Sequence, residues 1–189
     1  MNKTTVLIID DHAILRMGLA SLLNAKGGIE VVGDAANGKT GIAKALRLRP
    51  DVVIMDLMMP GMDGAETTRQ LLAKAPESHV LILTTFGTSD GISHALEAGA
   101  LGAVMKNCDF SELVTALRTV ARGEKYLSPE IRRIISKDPP IAPLSPRHLA
   151  PLFPEGRTSR VLWELDITTD TLFNRRRQSV EMIADTTIP

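Results

Sequence analysis

Five polar side chains in this chain stand directly after short apolar runs, and together they could do one kind of chemistry. Asp10 and Asp11 follow the run at residues 6–9, Asp56 follows residues 52–55, Thr84 follows residues 80–83 and Lys106 follows residues 103–105. Carboxylates crowded together repel, and each raises the proton affinity of the others. A divalent cation relieves that repulsion. Oxygen-only donors with room for water suit Mg²⁺, which takes one or two carboxylates plus a phosphate. A hydroxyl and an ammonium, Thr84 and Lys106, are what the remaining oxygens of a phosphoryl group would need.

These residues meet only if the runs that carry them lie side by side. Residues 5–122 read as strand then helix, five times over. The strands are the runs at 6–9, 30–35, 52–55, 80–83 and 103–105, and the wholly apolar run at 52–55 fits a strand buried on both faces. Leu15, Gly18, Leu19 and Leu22 mark the first helix, which Gly27 and Gly28 end. Asn37 caps a second, with Ile42, Ala45 and Leu46 on its apolar face, closed by Pro50. Pro60 and Gly61 force a turn before the third helix, which carries Leu71 and Leu72. Ile92, Ala95 and Leu96 mark the fourth. Ser111 or Asp109 starts the fifth, with Leu113, Ala116, Leu117 and Val120 on one face. Strict alternation with short connections demands a parallel sheet covered by helices on both faces. The expected fold is therefore α/β, a doubly wound, flavodoxin-like five-stranded sheet. In such sheets ligands bind outside the carboxyl ends of the strands, where the five polar residues stand.

Composition sets outer limits. The chain has 189 residues, enough for a full domain and a small second one. One cysteine, Cys108, rules out an internal disulfide and suits the cytoplasm. No apolar run reaches the ~20 residues of a membrane span, so no membrane partner is expected. Lys and Arg number 13 against 14 acids in the first 127 residues, and 9 against 8 in the rest. DNA contact would thus depend on a local cluster, and only Arg175, Arg176 and Arg177 form one.

The motifs Leu7-Ile-Ile-Asp-Asp-His12, Met55-Asp-Leu-Met-Met-Pro-Gly-Met-Asp-Gly64, Leu83-Thr-Thr85 and Gly99-Ala-Leu-Gly-Ala-Val-Met-Lys106 occur in order, each at a strand end. They resemble the receiver domain of two-component response regulators. The resemblance implies that Asp56 accepts a phosphoryl group from a phosphohistidine of a sensor histidine kinase. Asp10, Asp11, Asp56 and the carbonyl of Met58 would hold Mg²⁺, with Asp10 acting partly through water. Lys106 would pair with the phosphoryl oxygens, and Thr84 would turn to bind the new phosphate and move the following loop. The protein would not be an enzyme, beyond slow loss of its own acyl phosphate. The family usually has an aromatic three residues before the lysine; this chain has Ala103, so half of the usual output relay is missing. His12 reads as a helix-start residue beside the acids, and the Met55, Met58, Met59 and Met62 group as packing and loop. Phosphohydrolases of the haloacid type place nucleophile and acid two residues apart on the first strand, whereas Asp10 and Asp11 are adjacent.

Three segments result: a receiver domain at 1–124, a linker with a short helix at 125–143, and a small all-α tail at 144–189. The linker helix starts at Ser128-Pro129, and the prolines near 139–143 cannot hold an inner element. The tail resembles a LuxR-type helix-turn-helix of the NarL/FixJ class, degenerate or truncated. Thr168 or Thr169 would cap a recognition helix, with Thr169, Arg175, Arg176 and Arg177 as the DNA-contacting residues. The resemblance implies transcription control and a homodimer formed on phosphorylation. Several features depart from it: Pro151 and Pro154 interrupt the first helix of the motif, His148 replaces a capping glutamate, and the helix at 159–165 is one residue short. The alternative is a receiver whose tail does not bind DNA and which signals through protein contacts.

Overall fold

The computed structural model describes residues 3–85 and 89–137. The expected alternation is present: β1 (Thr4–Ile9), α1 (Ala13–Ala25), β2 (Ile29–Ala35), α2 (Gly38–Leu48), β3 (Val52–Asp56), α3 (Gly64–Lys74), β4 (His79–Thr84), α4 (Ser89–Glu97), β5 (Gly102–Met105) and α5 (Phe110–Ala121). Two further elements follow, β6 (Tyr126–Leu127) and α6 (Pro129–Lys137). The sheet is parallel throughout, in the order β2-β1-β3-β4-β5-β6. Chain order reverses between β1 and β3, and the crevice at that reversal is where a doubly wound sheet holds its ligand.

Alternation along each strand sends successive side chains to opposite faces. Leu7, Ile9, Val53, Met55, Val80, Ile82 and Ala103 join a core with Ile42 of α2, Leu71 of α3, Ile92 of α4 and Ile131 of α6. Val6, Ile8, Ile54, Leu81, Leu83 and Val104 face the other way, against Leu19 and Leu23 of α1 and Leu113, Leu117 and Val120 of α5. Every residue of β3 is buried, as its wholly apolar run requires. One face differs in detail. The stripe of α1 turns Leu19 and Leu23 inward, one helical step of four apart, and leaves Leu22 exposed.

The helix ends follow local chemistry. Asn37 Oδ1 accepts from the Thr40 amide at 2.9 Å, and Arg49 closes α2 in the left-handed region just before Pro50. Asp109, rather than Ser111, is the residue at the start of α5, although its side chain makes no capping bond.

The five expected strands gain a sixth from a segment read as linker. β6 pairs Tyr126 with Gly102 and Leu127 with Ala103. α6 begins at the expected Ser128-Pro129 pair, where Ser128 Oγ accepts from the Ile131 amide at 3.2 Å. It packs against α4 and β5 and buries Ile131 completely. Ala103, where the resemblance implied an aromatic, lies fully buried in the same core as Ile131.

Candidate functional site

Each site residue is placed by backbone pairing that runs just past its strand. The Asp10 amide continues the ladder beyond β1 by donating to the Ala35 carbonyl at 3.1 Å, and the Lys106 amide donates to the Thr84 carbonyl at 2.7 Å. Asp56 is the last residue of β3, level with Leu83 of β4. α3 must start close to that strand end, and Gly64 allows it. A Cβ there would stand 2.3 Å from the Asp56 carbonyl oxygen and 2.8 Å from the Leu57 Cα.

The side chains converge as the spacing requires. Asp10, Asp56 and Thr84 are buried at the carboxyl edge of the sheet. Lys106 Nζ bridges the two acids, 2.7 Å from Asp10 Oδ2 and 2.8 Å from Asp56 Oδ2. Asp11 stands alongside, its Oδ1 buried and receiving no hydrogen bond. One donor atom from each of Asp10, Asp11, His12 and Asp56 lies within 4.8 Å of the others. Met58, in the loop after β3, donates its amide to Asp56 Oδ1 at 3.3 Å and exposes its side chain. An exposed thioether is in any case a soft donor unsuited to a hard cation.

Burial pushes the Asp56 carboxyl above the ordinary carboxylate range, and Asp10 adds to that. The hydrogen bond and charge of Lys106 oppose the rise without cancelling it. For Lys106, burial works against the charged form, but hydrogen bonds to Asp10 and Asp56 win and carry its pKa above the usual lysine value. One ammonium cannot neutralise three carboxylates. The surplus negative charge, the oxygen-only acids and the unsatisfied Asp11 Oδ1 fit a Mg²⁺ ion.

Sequence reasoning missed one positioning residue. Arg16, in the first turns of α1, donates to the Asp10 carbonyl at 2.7 Å and to Asp34 Oδ2 at 2.8 Å. It ties the loop of the acids to β2, the edge strand of the sheet. The only signal was an arginine at 13% side-chain exposure, which no sequence shows. The DNA-contact candidates Thr169, Arg175, Arg176 and Arg177 lie outside the described residues.

Residues 6–118 match the response regulator receiver domain. The chain belongs to that family. It is 41% identical over 126 residues to the transcriptional regulatory protein LiaR of Bacillus subtilis, a match covering 67% of this chain and 60% of LiaR. The chain therefore spans less than two thirds of that curated relative. Among solved structures, a LuxR-family two-component response regulator from Aurantimonas sp. SI85-9A1 superposes with a TM-score of 0.68 at 34% identity, covering 72% of this chain and 97% of that one. The isolated receiver domain of RcsB from Salmonella enterica, solved with phosphomimetic BeF3⁻, gives a TM-score of 0.64 at 27% identity, over 70% of this chain and 99% of that one. Among the described residues no helix is long and apolar enough to cross a membrane.

Proposed function

We propose that this receiver is a cytoplasmic phosphorylation switch in which Asp56 takes a phosphoryl group from a phosphohistidine of a sensor histidine kinase. The observation that carries this reading is the bridge of Lys106 between Asp10 and Asp56, beside an Asp11 oxygen that receives no hydrogen bond. An Asp56 carboxylate oxygen attacks phosphorus, the bond to the imidazole nitrogen breaks, and the leaving imidazole takes up a proton. Asp10, Asp11, Asp56 and the Met58 carbonyl would hold Mg²⁺, which when bound would supply positive charge to the oxygens of the group in transfer. Lys106 keeps Asp56 oriented beforehand and pairs with a phosphoryl oxygen afterwards. Thr84 donates its hydroxyl to another, which pulls on the loop between β4 and α4. Slow hydrolysis of the acyl phosphate returns the switch to rest.

Output is transcription control through residues 144–189, with Thr169, Arg175, Arg176 and Arg177 toward DNA, and a homodimer formed on phosphorylation. The naming of LiaR and the LuxR-family neighbour supports that output. Pro151 and Pro154 favour a second reading, output by protein contact alone. Intact-mass measurement after acetyl phosphate treatment tests the switch. The protein should gain one phosphoryl group, and Asp56→Asn or EDTA should abolish the gain. A mobility-shift titration of the phosphorylated chain at physiological salt separates the two outputs.

A further inference from the structure

His12 has no part in the reading above, yet its imidazole stands among the acids. It occupies the N-cap of α1 in an extended conformation, but its side chain makes no capping hydrogen bond. Instead its backbone amide donates to Asp10 Oδ1 at 2.7 Å, which anchors the residue beside the site. Its Nδ1 lies 2.8 Å from Asp11 Oδ1 and 3.2 Å from Asp10 Oδ1. Lys106 engages the Oδ2 atoms of Asp10 and Asp56, so Asp10 Oδ1 is left on the side of His12. Asp11 Oδ1 is buried there without a hydrogen bond, despite the imidazole at its side.

Four donors are therefore grouped, three carboxylates and one imidazole nitrogen, within 4.8 Å of one another. Donors on bonds of ~2.1 Å stand about 3 Å apart when adjacent and about 4.2 Å when opposite, so roughly half an ångström of closure would seat an ion. Mg²⁺ has little use for nitrogen. Late first-row divalent ions such as Co²⁺ and Zn²⁺ do, and an imidazole among carboxylates favours them.

We infer that His12 is a metal ligand that raises the preference of this site for late first-row divalent ions over Mg²⁺, binding through Nδ1 beside Asp10, Asp11 and Asp56. The inference rests on those three acids forming a cation site. An alternative role for His12 is a cationic partner of the acids, and the two roles predict opposite signs. A cationic partner competes with any metal, so its removal tightens both Co²⁺ and Mg²⁺. A ligand strengthens Co²⁺ selectively, so its removal weakens Co²⁺ and spares Mg²⁺.

The test titrates the full chain with Co²⁺ and separately with Mg²⁺ at one near-neutral pH, reading Co²⁺ by its visible absorption and Mg²⁺ by competition and melting midpoint. Wild type is compared with His12→Ala, His12→Asn and Asp11→Ala. Both His12 variants should bind Co²⁺ about tenfold or more weakly, with a changed absorption band, and keep Mg²⁺ within about twofold. Unchanged or tighter Co²⁺ in the His12 variants overturns the inference, and so does an equal loss of both ions. If Mg²⁺ binding is lost in Asp11→Ala while Co²⁺ ignores His12, only the role of His12 fails. If wild type binds neither ion, the cation site fails with it.

Discussion

Strand β3 has an aspartate near each end, and the two live in different physical worlds. Asp51 precedes the strand at the amino edge of the sheet, exposed to water. Its Oδ2 accepts from the Thr5 amide at 2.7 Å and the Thr5 hydroxyl at 2.8 Å, stitching β3 to β1. Asp56 closes the strand at the carboxyl edge, only 2% exposed, and meets an ammonium delivered from 50 residues away. Water screens Asp51, so its bonds are a modest structural clamp. Burial makes Asp56 costly to ionise and leaves it in surplus negative charge. The same residue type, five positions apart, is a staple at one end and the proposed phosphoryl acceptor at the other. What separates them is burial and the company of Asp10, Asp11 and Lys106.

That contrast can be broken at several points. Lys106→Met should have the largest effect, because it leaves Asp10 and Asp56 buried without a cation. Chemical denaturation should show a loss of about 3 kcal/mol or more in EDTA, largely recovered with Mg²⁺. Next comes the ion itself. Mg²⁺ at ten times its Kd should stabilise wild type by about 1.4 kcal/mol, and Asp11→Ala much less, as read from melting midpoints.

Asp56→Asn should stabilise the protein at pH 7 by about 1 kcal/mol, since it removes a buried charge and keeps an acceptor for Lys106. The sign with pH is definite. A carboxyl whose pKa is raised on folding lowers stability when ionised, and that penalty disappears as pH falls through its raised pKa toward the ordinary carboxylate range. The advantage of Asp56→Asn over wild type should therefore shrink from pH 7 toward pH 4. A gap that widens as pH falls would contradict the raised pKa. Asp51→Ala should do least, costing about 0.5 kcal/mol with no change in phosphoryl labelling. A loss of labelling there would show that the two ends of β3 are coupled.

Most of this site was legible in the chain, for a local reason. A strand buried on both faces must be an apolar run, so a carboxylate that breaks one marks its end, and Asp10, Asp11 and Asp56 announce themselves. Asn37 and the Ser128-Pro129 pair were legible too, because a cap bonds to amides two or three residues on. Where apolar spacing was ambiguous, the reading slipped. Leu22 and Leu23 are both leucines, and only the angle at which α1 lies on the sheet decides that Leu23 turns inward.

By itself, then, the sequence determined five of the six strands, where they end and which polar residues stand at those ends, since all of these depend on neighbours a few positions away. Tertiary structure alone decided the rest. Tyr126 and Leu127 become a strand only because β5 offers them an open edge, a two-residue run being too short to carry a period. The small side chain of Ala103 is accommodated in a core that Ile131 completes, a packing that exists only once α6 lies on β5. Lys106 meets Asp10 and Asp56, and Arg16 grips the Asp10 carbonyl, because the β2-β1-β3-β4-β5 order brings distant strand ends to one edge. Burial, and with it the raised pKa of Asp56, belongs to that edge and not to any stretch of chain, because desolvation is set by everything that surrounds a charge.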